Sequence, residues 1–572
     1  MRLLPRLLAS VLFAATLFIA ACDEPTDDAP SPAGPITLAD TPDDLVALID
    51  SAGLRAHIEV LASDAFEGRG TGTAGEQMTI DYISAQMQTA GLEPGAADGT
   101  FFQPVPLLGS TPVTVGNMAL VPDDGEPVLL DFVSQFIAST DHDTTAISVE
   151  GAELVFVGYG ISNPGYDWDD YKGVDLAGKI MVSFVNDPPA TEAEPNLFQA
   201  DTLTYNGRWT YKYEEARRRG AVGALLIHTG PTAGYPFLVL SGGARGEQIS
   251  LATPPENALD VKGWITQPVA EQLLSEAGLT LNEAFARSAT RDFEPVPLPV
   301  RASLEMTFET RRFTGTNVIG KVTGDTTPDE AVIVTAHHDH LGVDPDREAA
   351  SEDGIYNGAV DNASGVSMLL EMATAIASGP TPDRSVYFLT LSAEESGLLG
   401  AAHYAEDPVV PLVHTVANVN VDSGNLYGQT TDIVGIGAER SEMLPLLRQA
   451  AAGETMTVTP DNQPNQGLFF RSDQLAFARG GVPAVFINTG VDFVGQPEGY
   501  AAEVKASYRR ERYHQPADEY TPGSMPLGGL VQQTKVATRL TYGIADSDIR
   551  PTWKPSEAFA ETRARAERQA DL

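Results

Sequence analysis

One cysteine, Cys22, is all the thiol chemistry that this chain of 572 residues possesses. No intrachain disulfide can form, so stability must come from packed cores. Basic residues are scarce: 36 Lys and Arg stand against 78 Asp and Glu, a net charge of −42. Long-range attraction to a phosphate backbone is excluded on that balance, and nucleic acid is not an expected partner. The acidic surface serves solubility instead. No G-x-S-x-G elbow occurs, which argues against a serine hydrolase of the α/β type. Two glycine motifs fall short of a phosphate site. "GRGTGTAG", residues 68 to 75, has G-x-G-x-x-G spacing but follows a helix and turn where a dinucleotide fold needs a strand. "GVDLAGK", residues 173 to 179, is followed by Ile180 where a phosphate loop needs Ser or Thr. What the chain does have is 42% hydrophobic and 8% aromatic residues. That is a globular composition, over a length that suits more than one domain.

The first residues, "MRLLPRLLASVLFAATLFIAAC", combine Arg2 and Arg6 with an apolar run ending in small residues, the pattern of an export signal. The run is short for a spanning helix. "IAAC", Ile19 to Cys22, resembles the lipobox of bacterial lipoproteins. The resemblance implies cleavage before Cys22, its acylation, and an exported protein lipid-anchored to the cell envelope. Residues 23–38, "DEPTDDAPSPAGPITL", offer nothing to bury and read as a flexible tether.

Further along, apolar spacing predicts helices in "LVALIDSAGLRAHIEVLAS" and "GEQMTIDYISAQMQTAGL", with residues 39–139 forming the first part of the main domain. Residues 140–300 change to short β-rich runs. "AELVFVGYGI", "GKIMVSFVND", the helix "KYEEARRRGA" and the strand "VGALLIH" follow one another there, an order that resembles the protease-associated domain. His228 ends that last strand and is assigned no role. Residues 301–550 alternate strands and helices, which predicts a mostly parallel mixed sheet sandwiched by helices, with binding residues beyond the carboxyl ends of its strands. Residues 551–572 read as a charged tail.

Three strands of that region end in candidate ligands: "VIVTAHHD" in His337 to Asp339, "YFLTLSAEE" in Glu394 and Glu395, and "ANVNVD" in Asp422. "NGAVDNASG" adds Asp361, with Asn362 and Ser364 as caps for the next helix. "ERYHQPADEY" adds His514 and, nearby, Asp518. Singly each residue has a bland reading as a cap or a solvated charge. Together at one rim they would cost several kcal/mol per uncompensated charge, so divalent cations account for them better. Imidazole nitrogen with carboxylate oxygen suits zinc. Alternation along an extended segment puts His337 with Asp339 on one face and His338 with His340 on the other, without choosing between the pairs.

These motifs, in this order and spacing, resemble the co-catalytic dizinc aminopeptidase family, whose relatives include bacterial leucyl aminopeptidase, glutamate carboxypeptidase and the transferrin receptor. The resemblance runs from about residue 45 to 545, protease-associated insert included. It implies two zinc ions per chain, with His337, Asp361, Glu395, Asp422 and His514 as ligands and Asp361 between both metals. It makes Asp339 the carboxylate that orients His337, and Glu394 the general base that deprotonates the bridging water. His338 and His340 are then expected to point away. The implied activity is release of N-terminal residues from peptides with a free N-terminus. Alternatives on the same scaffold are a carboxypeptidase, a glutaminyl-cyclase-like amidohydrolase with one zinc, or a receptor-like binding protein. A carboxypeptidase would need a cationic pocket, for which Arg471, Arg509, Arg510 and Arg512 are available. Two positions depart from the family pattern: Gln474 where many relatives have histidine, and Val360 where many have aspartate.

Overall fold

The computed structural model describes residues 36–570, except 193, 201, 234 and 235. The expected export signal, Cys22 and all but the last three residues of the expected tether lie outside the described residues. The chain is already pinned where that tether was expected to end. The Leu38 amide donates to Gln449 Oε1 at 3.0 Å and the Ala39 amide to the Gly543 carbonyl at 3.3 Å. The first expected helix is two, Asp43–Ala47 and Ser51–Leu61, because Asp50 accepts from the amides of Ala52 and Gly53 and caps a new start.

The sheet of residues 301–550 is mixed with a parallel centre, as expected. Strand Thr327–His337 lies between Arg384–Leu391 and Thr415–Asn420, and Ala484–Thr489 joins beyond the latter, all parallel. Strand Asp432–Ile436 adds antiparallel to Ala484–Thr489. Every residue of Arg384–Leu391 and Thr415–Asn420 is buried. Helices including Ser364–Ser378, Met443–Gly453 and Gly528–Ala545 cover the sheet, which is why its strands are apolar on both faces. Among the described residues no helix is long and apolar enough to cross a membrane.

A second lobe is organised around parallel strands Ala146–Phe156, Ile180–Ser183, Gly223–His228 and Val261–Thr266. One of its cores runs from Met118 to Phe308, wider than the 140–300 read from sequence. The extra width comes from strands Met118–Pro122, Val128–Leu130 and Phe136–Ser139 before it and from strand Val296–Val322 after it, 27 residues long, which belongs to both lobes. Its first half pairs with Ala146–Phe156 and Met118–Pro122, its middle with Phe102–Val115, and its last five residues with Arg384–Leu391.

The expected charged tail is not a tail. Residues Ala558–Gln569 form a helix, Phe559 is buried with Trp553 against Phe469 and Phe470, and Trp553 Nε1 donates to the Gly481 carbonyl. Two aromatic residues outweigh the surrounding charge there, since burying a large ring is worth more than exposing it.

Candidate metal centre

Parallel register brings the expected residues to one rim. His337 ends its strand opposite Leu391, and Thr335 lies opposite Asn420. The residues just past those ends, Glu394 and Glu395 on one side and Asp422 on the other, therefore flank His337. Asp361 sits in the loop before helix Ser364–Ser378, joined to Asn362 by a cis peptide. Asn362 does more than cap that helix. Its Oδ1 accepts from the amides of Gly365 and Ser423, and its Nδ2 donates to the carbonyls of His337 and Val421, tying three ligand-bearing segments together. His514 follows helix Tyr500–Glu511 in a left-handed conformation (φ 56°), with its ring stacked on Tyr513.

Asp361 lies between two imidazoles. His337 Nε2 is 3.2 Å from Asp361 Oδ1 and 3.4 Å from Asp422 Oδ1. His514 Nε2 is 3.4 Å from Asp361 Oδ2 and 3.0 Å from Glu395 Oε2. Donor atoms around one tetrahedral zinc lie about 3.3 Å apart, so both sets have ligand spacing. His514 Nε2 is buried and faces those oxygens without hydrogen-bond geometry, as a metal donor would. Glu394 offers an oxygen within 4.8 Å of donors on His337 and Asp422. The chemistry of the donor set and its spacing fit zinc.

Charged groups at the rim act strongly on one another. Burial opposes protonation of His514, but Asp361 and Glu395 raise its pKa to about 10. Burial likewise opposes a charged His337, and Glu394, Asp422 and Asp361 still push it well above its ordinary value. Burial, with Glu395, Asp422 and Asp473 close by, drives the Glu394 carboxyl well above the usual carboxylate range.

Three histidines of "AHHDHLG" have different fates. His338 points away, as expected, with Nδ1 3.2 Å from Thr390 Oγ1. His340 does not: its Nδ1 is 2.6 Å from Glu395 Oε1, and it groups with Asp361 and Glu395. The alternation of a strand stops applying after His337, where the strand ends. Asp339 is fully buried, but the nearest acceptor to His337 Nδ1 is the Asp339 main-chain oxygen at 3.2 Å, with its carboxylate at 3.8 Å. That carboxylate instead receives the amides of Glu394 and Glu395, bracing the turn that carries both.

Sequence reasoning noted Asp518 without a role; its Oδ2 accepts from the amides of Val360 and Asp361, fixing the loop of the shared aspartate. Val360 thus contributes its main chain. Asp473 was missed: it is 1% exposed with neither oxygen hydrogen-bonded, and burial raises its pKa to about 8 beside His337 and Asp422. Gln474 is structural, accepting from Asn420 Nδ2 and donating to the Phe469 carbonyl. Arg512 is committed to the carbonyls of Ala517 and Glu519, and Arg510 to Glu511.

The rim of imidazoles and carboxylates at the carboxyl ends of parallel strands is a candidate metal centre. Residues 317–531 match the model of peptidase family M28. Aminopeptidase YwaD of Bacillus subtilis is 37% identical over 141 residues, 22% of this chain and 28% of that protein. An aminopeptidase of Pseudomonas aeruginosa is 25% identical over 354 residues, 61% of this chain and 52% of that one. The matched segments thus span between about a quarter and about half of these curated relatives. A solved aminopeptidase from Aneurinibacillus sp. strain AM-1 aligns with TM-score 0.47 at 18% identity, over 89% of this chain and 97% of that one.

Proposed function

We propose that this chain is a zinc-dependent exopeptidase that removes residues from the free N-termini of peptides. The observation that carries the reading is Asp361, whose two oxygens face His337 on one side and His514 on the other. Two zinc ions would share Asp361, one completed by His337 and Asp422, the other by Glu395 and His514. When bound, the ions supply Lewis acidity toward the scissile carbonyl and the attacking water. Glu394 takes a proton from that water on its carboxylate and passes it to the leaving amine nitrogen. Asp339 holds the amides of Glu394 and Glu395, keeping the base beside the ligand rather than rotating into its place. Relatives that carry the name aminopeptidase support this reading.

Metal analysis of the purified chain should find two zinc ions, and hydrolysis should require a free α-amine. A single zinc would move the assignment toward a cyclase-like amidohydrolase. A carboxypeptidase is the second reading, favoured by a surface pocket of about 420 Å³ lined by Lys505, Arg509 and Arg510. Cleavage of N-acetylated but not C-amidated peptides would select it.

The proposal extends to location and to the second lobe. Export and acylation at Cys22 would hold the enzyme at the cell envelope, supported by "IAAC" and by the lack of any other cysteine. Cys22→Ser should leave the membrane fraction on cell fractionation. The lobe around Met118 to Phe308 would serve as a protease-associated insert that shapes access to the rim.

A further inference from the structure

The stretch "GRGTGTAG", which failed as a dinucleotide motif, encloses a buried cation. Arg69 is 1% exposed, and each hydrogen bond its guanidinium makes ends on a main-chain carbonyl. Nε reaches His338 at 3.0 Å; Nη1 reaches Leu61 and Asn357, each at 2.6 Å; Nη2 reaches Gly358 at 2.9 Å and Asp361 at 3.5 Å. His338 separates His337 from Asp339. Residues 357 to 361 form the loop that delivers Asp361. One planar fork therefore joins the two segments that set the distance from His337 to Asp361, and helix Ser51–Leu61 anchors it through Leu61.

The backbone is shaped to admit this side chain. Gly68 has φ +60°, and a Cβ there would lie 2.3 Å from the Gly342 carbonyl oxygen. Its absence lets the Arg69 segment pair with the segment after the ligand strand, His340 N to Arg69 O at 3.2 Å and Gly342 N to Gly68 O at 3.0 Å. At Gly358, φ +54°, a Cβ would meet Arg69 Nη2 at 2.7 Å. Thr71, two residues on, donates to Asp339 Oδ2 at 3.3 Å, and Glu76 contacts both His338 and Ser392. Among the described residues no carboxylate pairs with Arg69 directly, and its countercharge is the acid cluster itself, Asp361, Asp339, Asp518 and Glu395.

We infer that Arg69 is a positioning residue for the metal centre, holding the His337 strand end and the Asp361 loop at ligand spacing before any cation arrives. This rests on the proposed reading of the rim as a zinc site. The test uses the full chain, stripped with a chelator and titrated with zinc against a chromophoric competitor, with thermal midpoints recorded with and without zinc. Arg69→Met and Arg69→Lys should each bind zinc about 10- to 100-fold more weakly, the range seen when groups that orient ligands are lost. Their midpoints should also rise less on zinc addition. Lys keeps the charge but radiates its donors from one atom, so charge alone should not restore affinity. Arg384→Met is the control: Arg384 is also buried, on the carbonyls of Ile544 and Ser547, and its loss should lower both midpoints while leaving zinc affinity intact. If Arg69→Met does not fold, Arg69→Lys decides. Wild-type zinc affinity in either Arg69 variant overturns the inference alone, whereas a wild-type chain that takes up no zinc overturns the metal reading with it.

Discussion

Glu394 and Glu395 are neighbours in sequence with different neighbours in space. Glu395 is drawn to His340 and His514, while Glu394 is turned toward His337 and Asp422. Glu394→Gln should keep zinc content at the wild-type level and lower kcat about 10²- to 10⁴-fold, the span of a general base, as read by metal analysis beside peptide turnover. Asp518→Ala should act differently. It leaves the buried amides of Val360 and Asp361 without their acceptor, at about 1–3 kcal/mol in urea unfolding of the metal-free chain. At this scale much was legible. His337, Asp361, Glu395, Asp422 and His514 carry donor chemistry that strand ends display openly, and the structure gathers all five. Arg69 and His340 were not legible. Neither periodicity nor motif says that a lone arginine between glycines faces inward, or that the chain bends back after a strand stops.

Among elements, the strands and flanking helices of residues 301–550 followed their apolar runs, because segments buried on both faces announce themselves. Strand Asp432–Ile436 and helix Gly528–Ala545 were not among the expected elements. The last helix went unread for a related reason: Trp553 and Phe559 are isolated apolar residues in charged surroundings, and only tertiary packing shows that they dock. Removing residues 551–572 should therefore lower the thermal midpoint, since losing either ring from a core costs about 3–5 kcal/mol. In the second lobe, Asp141 bonds Arg217 at 2.7 Å and Lys262 at 2.8 Å. Burial works against its ionisation, but the two cations hold its pKa down to about 2. A carboxyl whose folded pKa is depressed stabilises above its unfolded value near 3.9 and loses that contribution as pH falls toward 2. Asp141→Asn should thus cost about 2 kcal/mol at neutral pH, and the gap from wild type should close between about pH 4 and pH 2 in denaturant titrations.

For the whole molecule, the net charge of −42 and the crowded acids at the rim act in the same direction. Zinc removal should lower the thermal midpoint and abolish turnover, and both should return on adding zinc back. With zinc at about a thousand times its dissociation constant, ligand linkage alone supplies about 4 kcal/mol. Composition argued against nucleic acid as a partner. It could not reveal that the two lobes share a strand, because nothing in a run of alternating residues marks where one core hands over to the next.

That shared strand has a mechanical meaning. Val296–Val322 extends about 90 Å at the usual rise, paired with strand Ala146–Phe156 of the second lobe at its start and with Arg384–Leu391 at its end. A molecule stitched in this way has no seam along which a folded half could be released. Calorimetry should record one cooperative endotherm for the pair of lobes, and a fragment cut to residues 116–295 would arrive without the ribbon on which its own sheet is laid.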